Sequence, residues 1–426
     1  MLSQEDNELM TRVGPEAPMG QMIRRYWIPV CLSEELPEPD CDPIRVRLLG
    51  EDLVAFRDSS GRPGLLAERC SHRGASLWLG RNEEGGLRCL YHGWKYDVDG
   101  NVIDMPCEPA HSTFRGRVKH VAYPTHEQGQ MVWAYLGPPE HTPRFPDFEW
   151  TLVPDANRTI AKVRTECNFM QGIEGTVDSS HGDVLHSGLA KLILHNAVLS
   201  EDSVPRFEMQ DTPYGFFYGA IRAPTENADR FNYVRTTHFV LPFHCVVPPR
   251  GFGHTHIFVP IDDGQSWDYS IYYRRTRTID HAATRERRRS VPGVDLLPDR
   301  SKTRTMGNRF LQDRDAMREK RSFTGIPANT NEDMAVQESM GPVYDRTKEH
   351  LGASDAAVVR LRDTLLRSVR GFMEGGEPLG LEPSIAFDQI RSHHKMLPVD
   401  VPWHQIDEYE GEDIEAGYAR AAGSEQ

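Results

Sequence analysis

Cys70-Ser71-His72 and Cys89-Leu90-Tyr91-His92, with sixteen residues between them, are the stretches that decide how this chain folds. Each stretch pairs one thiol with one imidazole. A glycine follows each pair, in Arg73-Gly74 and in Gly93-Trp94, and glycine permits the tight turns that a ligand loop needs. The pattern therefore predicts two loops that bring both thiols and both imidazoles to one exposed tip.

Two thiols and two imidazoles at this separation match the ligands of a Rieske [2Fe-2S] cluster. In such a cluster both thiolates bind one iron and both imidazoles bind the other. Because neutral imidazoles carry less negative charge than thiolates, they raise the reduction potential to roughly −150 to +300 mV, well above that of all-cysteine ferredoxins. A zinc site is the alternative, but zinc sites usually space their ligands as Cys-x2–4-Cys and His-x3–5-His. The mixed Cys-His pairs therefore favour the cluster.

Length, charge and cysteine usage limit the kind of protein. A chain of 426 residues is long enough for two domains with separate cores. Its formal net charge of −14 argues against nucleic acid as a partner. The seven cysteines are odd in number and irregularly spaced outside the two motifs, so a secreted disulfide framework is not expected. No basic and apolar leader is visible, and no apolar run reaches the roughly 20 residues of a membrane span, so we expect a cytoplasmic protein.

The hydrophobic pattern divides the chain into three parts. Residues 1–42 are expected to form an N-terminal lead segment, which is helical from roughly residue 4 to residue 28. Residues 43–150 contain short alternating runs separated by glycine turns, which predict a small antiparallel β domain that carries the cluster loops. Residues 151–426 form the third part, and a proline-rich stretch that ends at Pro146 precedes it.

The third part mixes helical and strand patterns. A helix is expected from about Asn168 to Ala190, and strands follow between about Phe216 and Arg274. A last long helix follows Ser354-Asp355, whose side chains suit an N-cap and a first turn. Its apolar face, which should pack across the sheet, consists of Val358, Leu361, Leu365, Val369 and Phe372.

A second group of ligand residues lies in the segment Asp178-Ser179-Ser180-His181-Gly182-Asp183-Val184-Leu185-His186. Two imidazoles and a carboxylate that leave coordination positions open form the facial triad of non-haem Fe(II) oxygenases. On an ideal helix two histidines five residues apart diverge by about 140°, so a π-turn or a break near Gly182 is needed to bring them together. The third ligand should be a carboxylate, and the residues alone leave Asp178, Asp183 and several distant acids open.

The two groups together give the chain a family resemblance. It resembles, over its whole length, the oxygenase component of the Rieske non-haem iron ring-hydroxylating oxygenases, and looks most like the phthalate dioxygenase branch. The motifs that carry this resemblance are Gly14-Pro15, Pro18-Met19-Gly20, Arg24-Arg25-Tyr26-Trp27, the cluster loops with His92-Gly93-Trp94-Lys95, the stretch from Asp178 to His186, and Glu332-Asp333 before Glu338-Ser339-Met340-Gly341-Pro342.

The resemblance implies a fold and the ligands of two iron centres. The fold class would be α+β, with a small antiparallel β Rieske domain followed by a helix-grip (START-like) catalytic domain that has an antiparallel sheet and a long C-terminal helix. The cluster ligands would be Cys70 and Cys89 on one iron and His72 and His92 on the other. The ligands of a mononuclear Fe(II) would be His181, His186 and Asp333.

Under this resemblance Asp178 would not bind iron. In the family the aspartate at this place links an iron-binding histidine to a cluster histidine, here His92, of a neighbouring subunit. Head-to-tail packing in a ring, as a trimer or as stacked trimers, would bring the two side by side. A carboxylate that is hydrogen-bonded to an imidazole on each side fixes both tautomers and offers a short electron path.

The resemblance also implies a reaction and its partners. O2 and electrons from a separate flavin and iron-sulfur reductase would be used to hydroxylate, by cis-dihydroxylation, an aromatic carboxylate such as a phthalate isomer or a substituted benzoate. The reductase must be separate because the sequence has no Gly-x-Gly-x-x-Gly fingerprint after a strand. A carboxylate in an apolar pocket needs a fixed cation or hydrogen-bond donors. The candidates for this contact are Ser179, Ser180, Arg222, Arg235 and His244.

Three other functions stay open. A monooxygenase or O-demethylase on another aromatic substrate would use the same ligands, because ligand motifs do not fix how the oxygen is used. A Rieske electron carrier without catalysis would need only the first domain, and the 280 residues after Pro146 argue against it. A ligand-binding module with a helix-grip cavity would contain no mononuclear iron.

Overall fold

The computed structural model describes residues 2–109, 111–186, 204–224, 226–248 and 252–409. The chain divides into two compact units. The small unit comprises Arg12–Pro146 and Pro260–Asp262, and the large unit comprises Met1–Thr11, Asp147–Val259 and Asp263–Gln426. The residues expected to form a lead at 1–42 are therefore shared, because the first eleven belong to the large unit and the rest to the small one.

The helices and strands of the described residues are numbered in chain order. The α-helices are α1 (Gln4–Thr11), α2 (Pro18–Ile23), α3 (Glu149–Leu152), α4 (Phe169–Val177), α5 (His281–Arg288), α6 (Arg314–Arg318), α7 (Asn329–Ser339) and α8 (Ala356–Met373). The strands before residue 150 are β1 (Trp27–Leu32), β2 (Ile44–Leu48), β3 (Glu51–Arg57), β4 (Pro63–Ala67), β5 (Arg81–Glu83), β6 (Gly86–Arg88), β7 (Lys95–Tyr96), β8 (Val102–Asp104), β9 (Ala122–Tyr123), β10 (Thr125–Gln128) and β11 (Met131–Tyr135). The later strands are β12 (Arg158–Thr165), β13 (Arg206–Thr212), β14 (Gly215–Arg222), β15 (Phe231–Val240), β16 (His244–Val247), β17 (Gly253–Pro260), β18 (Ser266–Tyr273) and β19 (His394–Pro398).

The small unit consists of three antiparallel sheets, with strand orders β1-β11-β10, β2-β3-β4-β9 and β5-β6-β7-β8. One predicted cluster loop follows β4, and the other joins β6 to β7. The core beneath the loops is made of buried apolar side chains such as Phe56, Leu66 and Leu87, packed with the thiols of Cys70 and Cys89. The small antiparallel β domain predicted from the alternating runs is therefore confirmed.

The lead contains less helix than the sequence predicts. Gly14-Pro15 falls between α1 and α2, where proline ends the helical pattern. Residues 27 and 28, expected to be helical, instead begin β1, which pairs with β11. Pro29 is accommodated there because β1 lies at the edge of its sheet and its register shifts at this point.

The large unit is built around one antiparallel sheet of eight described strands. Its order is β12-β18-β17-β16-β15-β14-β13, and β19 also pairs with β15. The first half of β15 pairs with β19 and its second half with β16, so the long strand β15 joins two parts of the sheet. Strands are present throughout the region between residues 216 and 274 in which they were expected. The helix expected from about Asn168 to Ala190 is shorter, because α4 ends at Val177, and residues 187–190 of that prediction lie outside the described residues.

The long helix α8 packs against β13, β14 and α4, which confirms the predicted packing across the sheet. Of its predicted apolar face, Val358, Leu361, Leu365 and Val369 are buried, whereas Phe372 is only partly so. The predicted N-cap is not formed. The carboxylate of Asp355 accepts instead from the amide of Gly352, at 2.6 Å, in the turn before the helix.

A charged network fixes α4 within the large unit. Glu174 of α4 accepts two hydrogen bonds of 2.8 Å from the fully buried Arg346 and one of 2.7 Å from Arg362 of α8. Arg346 also donates to the side chain of Asn7 in α1, at 3.0 Å. The network therefore joins three helices that are distant in sequence.

No described helix combines the length and apolar character that a membrane crossing requires.

Candidate metal centres and substrate cavity

Two six-residue loops of the same construction hold the four predicted cluster ligands. In each loop the amide of the cysteine donates to the carbonyl five residues later, from Cys70 to Ala75 at 2.9 Å and from Cys89 to Trp94 at 2.8 Å. The glycine before each acceptor has a φ of +73° or +74°, a conformation that favours glycine. The glycines noted in the sequence therefore close both loops.

The four side chains are arranged as a cluster requires. Cys70 and Cys89 are only 3% and 2% exposed, and the rings of His72 and His92 lie outside them with centroids 4.4 Å apart. Nδ1 of His92 is inaccessible to solvent and has no hydrogen-bond partner among the described residues. A buried nitrogen without a hydrogen-bond partner is available to bind a metal, so the donor set fits the Rieske group.

Neighbouring groups act on the two thiols. Burial raises the pKa of Cys89, and the adjacent Cys70 thiol raises it further. Metal binding removes this penalty because a bound cation stabilises both thiolates. The buried hydroxyl of Tyr96 lies 3.0 Å from Sγ of Cys70, within hydrogen-bond distance. Burial in turn raises the pKa of Tyr96, so the phenol keeps its proton and can donate to the sulfur.

The large unit contains a second donor set, formed by His181, His186 and Asp333. One ligand atom from each of the three lies within 4.8 Å of the others. Oδ1 of Asp333 is 3.4 Å from Nε2 of His181 and 3.1 Å from Nε2 of His186. Two imidazole nitrogens and one carboxylate oxygen that converge in this way suit Fe(II).

Two further carboxylates stand behind the imidazoles. Oε2 of Glu332 lies 2.7 Å from Nδ1 of His186, and Oδ2 of Asp178 lies 3.6 Å from Nδ1 of His181. Glu332 is held in turn by the hydroxyl of Thr324, which donates to its other oxygen at 2.5 Å. Carboxylates behind ligating histidines fix the tautomer and raise the basicity of the nitrogen that faces the metal.

The electrostatics of this set favour a cation. Burial alone would lower the pKa of His181, but the carboxylates of Asp178 and Asp333 raise it to about 10. Burial likewise acts to raise the pKa of Asp333, yet the two imidazoles bring it well below its ordinary value. The three side chains therefore stabilise positive charge at the point where their ligand atoms meet.

The local chain explains how residues five apart converge. The side chain of Asn168 caps α4 by accepting from the amide of Met170, and the helix ends at Val177. A short 3-10 turn, His181–Asp183, follows after a break in the chain direction. It brings the His181 and His186 rings to a centroid distance of 5.1 Å. The predicted break near Gly182 is present, although as a 3-10 turn and not a π-turn.

The other acids considered from sequence have different partners. Oδ2 of Asp183 accepts a 2.8 Å hydrogen bond from the buried guanidinium of Arg222, so both side chains are committed to each other. Asp333 comes instead from α7, where it is adjacent to Glu332. One helix thus supplies both the converging carboxylate and the carboxylate behind His186.

A cavity of about 130 Å³ adjoins the donor set. Its floor is the face of the sheet on which Tyr218, Arg235, Val247, His254 and Tyr272 lie. These residues share a face because side chains alternate along strands, and the register agrees, since Val247 pairs directly with His254. The helices α4, α5 and α7 contribute to the other walls, together with the segment from Asp178 to His186 and with Pro248 and Phe252.

The five residues expected to contact substrate are placed differently. Ser179 and Arg235 line the cavity, whereas Ser180, Arg222 and His244 do not. His244 lies outside it because it has the opposite strand parity to Val247, and its ring stacks on Phe148 at 4.7 Å. For His244 and Arg222 the structure therefore argues against the predicted contact.

Four residues of this region were not predicted as site residues from the sequence: His254, His256, Arg288 and Glu332. His254 and His256 carried a signal, since two histidines alternate on a strand that was expected from the sequence. In the structure Nδ1 of His256 lies 2.9 Å from Oδ1 of Asp268 on the next strand. Arg288 carried none, because it belongs to a run of arginines that is typical of a solvated helix end. Glu332 was visible only as part of a family motif.

Comparison with known families matches almost the whole chain. The model described as Rieske [2Fe-2S] domain matches residues 26–121, and the one described as LigXa C-terminal domain like matches residues 134–424. The first covers both cluster loops, and the second covers the donor set of the large unit. The second match begins at residue 134, within the last strand of the small unit, and continues through the large unit.

Known proteins resemble the chain over nearly their full length. The phthalate 4,5-dioxygenase oxygenase subunit of Pseudomonas putida is 43% identical over 417 residues, which is 95% of this chain and 94% of that protein. The 3-chlorobenzoate-3,4-dioxygenase oxygenase subunit of Comamonas testosteroni is 33% identical, with coverage of 94% and 96%. Among solved structures, the terminal oxygenase of carbazole 1,9a-dioxygenase from Nocardioides aromaticivorans superposes with a TM-score of 0.58 at 19% identity, over 86% of this chain and 97% of that one. At that identity the likeness concerns the fold.

Proposed function

The chain belongs to the Rieske non-haem iron oxygenases, and from this we propose that it is the oxygenase component of a multicomponent system that dihydroxylates an aromatic carboxylate. The observation that carries the proposal is the convergence of His181, His186 and Asp333 at the wall of a cavity. A Rieske electron carrier needs no such donor set. The similarity to subunits that act on phthalate and on 3-chlorobenzoate supports an aromatic acid as substrate.

We assign the cluster to Cys70, His72, Cys89 and His92, and the mononuclear Fe(II) to His181, His186 and Asp333. With both centres loaded, the site supplies one-electron transfer and dioxygen activation. Glu332 holds His186 in the tautomer that presents Nε2, and Asp178 stands at the same place behind His181. The apolar side chains of Val247, Pro248 and Phe252 line the cavity and offer a surface for an aromatic ring.

Electrons reach the large unit through Asp178 in this proposal. Its carboxylate stands behind His181, and its other side would accept from His92 of a neighbouring subunit in a head-to-tail trimer or a pair of stacked trimers. Such an arrangement makes the site complete only in the oligomer. Light scattering of the purified protein tests this point, and a monomer with full coupled turnover contradicts it.

A separate flavin and iron-sulfur reductase would supply the electrons from NAD(P)H. The two relatives described above are named as oxygenase subunits, which agrees with a division of the system into components. Because that reductase uses a cytoplasmic electron donor, we place the oxygenase in the cytoplasm as well.

The test combines metal analysis with product analysis. Purified protein should contain iron beyond the amount in the cluster, show a Rieske EPR signal after dithionite, and consume O2 when a surrogate reductase and an aromatic acid are added. Mass spectrometry should detect a cis-dihydrodiol. A product with one added oxygen or a lost methyl group would instead indicate a monooxygenase or O-demethylase, and absence of O2 uptake with every aromatic acid would overturn the proposal.

A further inference from the structure

A buried histidine lies behind the first cluster loop. His120 precedes β9 in the chain and is only 2% exposed. Its Nδ1 lies 2.7 Å from the hydroxyl oxygen of Ser71, and its Nε2 lies 2.9 Å from the carbonyl oxygen of Ala67. Ser71 stands between the cluster ligands Cys70 and His72. Both ring nitrogens are therefore used, and one of them reaches into the loop that holds the cluster.

The two contacts determine which ring nitrogen carries the hydrogen. A backbone carbonyl only accepts hydrogen bonds, so Nε2 of His120 donates to Ala67. Nδ1 is then an acceptor, and the hydroxyl of Ser71 donates to it. Burial lowers the pKa of His120, and the contact with Ala67 only partly opposes this shift, which favours the neutral ring that the arrangement needs. The imidazole therefore holds the Ser71 hydroxyl in one direction.

The ring of His120 also packs on Tyr96, with the two centroids 4.4 Å apart. Tyr96 is fully buried, and its hydroxyl lies 3.0 Å from Sγ of Cys70. His120 therefore touches both ends of this contact, because it binds the residue that follows Cys70 and packs on the ring of Tyr96. A shift at either end would lengthen the distance between the phenol and the thiol.

The backbone around His120 is fixed well enough to act as a support. Its amide donates to the carbonyl of Gly100 at 2.9 Å, and the amide of Ala67 donates to the carbonyl of Val121 at 3.0 Å. Gly100 has a φ of +78°, and a Cβ at this position would lie 2.3 Å from the carbonyl oxygen of His120. This close approach of the two chains requires glycine. The imidazole therefore projects from a segment that hydrogen bonds hold on both sides.

We propose that His120 is a positioning residue of the [2Fe-2S] cluster, which keeps the Tyr96 hydroxyl on Cys70 by holding Ser71 and the phenol ring in place together. The inference rests on the proposed function and deepens its assignment of the cluster. A hydrogen bond to a ligand sulfur favours the reduced cluster, so loss of the imidazole makes the reduction potential more negative. A looser loop also releases its metal more readily.

Two substitutions at His120 separate its polar contacts. In His120→Gln the amide nitrogen takes the place of Nε2, so a donor to Ala67 remains but the acceptor for Ser71 is lost. In His120→Asn the amide oxygen takes the place of Nδ1, so Ser71 keeps its acceptor. Ser71→Ala removes the same contact from the side of the loop. The matched control is His126→Gln, since this imidazole lies on β10 of the same unit and contacts Gln128 at 3.1 Å.

An EPR-monitored redox titration of the purified full-length protein tests the inference without turnover. His120→Gln and Ser71→Ala should each have a more negative midpoint potential than wild type, and His120→Asn should stay closer to wild type. In a Tyr96→Phe background His120→Gln should add little further shift, because the hydrogen bond that it supports is already absent. The Rieske signal should decay about tenfold or more faster in a chelator for His120→Gln and Ser71→Ala than for His126→Gln.

Unchanged potentials in His120→Gln and Ser71→Ala would overturn the inference, and so would an equal shift in His126→Gln or full additivity with Tyr96→Phe. A thermal midpoint that falls while the potential stays constant would mean that His120 only supports folding. If His120→Gln assembles no cluster, Ser71→Ala takes its place in each comparison. Wild type without a Rieske signal contradicts the proposed function itself, whereas failure of the His120 inference with that signal present leaves the proposed function standing.

Discussion

Glu332 and His186 are joined by a 2.7 Å contact between a carboxylate oxygen and Nδ1 of the imidazole. Because Glu332 precedes Asp333 in α7, the same helical turn presents one carboxylate to the metal position and another to the back of a histidine. The contact leaves Nε2 of His186 as the nitrogen that faces Asp333. A single rigid element therefore controls two layers of the site.

The first prediction concerns this pair. Glu332→Ala should lower the affinity for Fe(II) by about 10–100-fold, because the imidazole loses the acceptor that fixes its tautomer and raises its basicity. Glu332→Gln should lose less, since the amide oxygen still accepts. Competition with a chelator measures the affinity, and Thr324→Val provides a milder control that removes only the hydrogen bond to Glu332. Unchanged iron affinity in both Glu332 variants would contradict the role.

The second prediction concerns the cluster potential. Tyr96→Phe should make the midpoint potential more negative by about 50 mV, because a hydrogen bond to sulfur favours the reduced, more negatively charged cluster. An EPR-monitored redox titration measures the shift. Tyr123→Phe is the matched control, since that hydroxyl lies in the same unit and donates to Glu51 at 2.7 Å. Equal shifts in both variants would exclude a specific effect on Cys70.

The third prediction concerns Asp178. Asp178→Asn should retain both metal centres and lose most turnover, since the amide has one acceptor oxygen and turns a donating NH2 group toward the other imidazole. Mixed oligomers sharpen the test. If electrons pass between subunits, Asp178→Asn subunits mixed with cluster-free Cys70→Ser subunits should regain activity, because an intact cluster can then lie beside an intact Asp178. No recovery in oligomers shown to be mixed would place the transfer within one subunit.

The fourth prediction concerns the stability of the large unit. Glu174→Gln should cost about 3–5 kcal/mol at pH 7, because it leaves the buried guanidinium of Arg346 without its carboxylate and removes one of the two carboxylates, Glu174 and Glu349, that face Arg362. Urea unfolding followed by fluorescence measures the loss. Asp345→Asn, which changes an exposed carboxylate near the network, should have a much smaller effect.

The same network has a pH dependence. Burial acts to raise the pKa of Glu174, but the two guanidinium groups bring it below its usual value. A group whose folded pKa is lowered stabilises the fold fully above its unfolded pKa, about 4.3 for glutamate, and loses that contribution as pH falls through the folded pKa. The difference between wild type and Glu174→Gln should therefore shrink below about pH 4. A constant difference down to pH 3 would mean that Glu174 does not titrate with folding.

A feature could be predicted from the sequence where its signal lies within a short stretch of residues. The cluster loops and the His181 to His186 stretch are short motifs, so both were found from residue type and spacing. Asp333 lies about 150 residues from these histidines in sequence, and only the family resemblance pointed to it. The position of α7 depends on tertiary packing, which spacing along the chain does not reveal.

The residues around the cavity show more clearly that sequence spacing does not reveal tertiary neighbours. Arg222 and Arg235 look alike in sequence, yet only the fold brings Asp183 to the first and leaves the second to line the cavity. His244 was placed on a strand correctly, but its face depends on the parity relative to Val247. Arg288 depends on α5 crossing near Tyr272. Each of these assignments needed the register of the sheet.

The division of the chain has a consequence for the order of assembly. Residues 4–11 are synthesised before the whole small unit, but α1 belongs to the large unit and Asn7 meets Arg346 there. During translation α1 must therefore wait until its partner has left the ribosome, while the intervening unit can form its own core. The earliest of these segments to be made is among the last to dock.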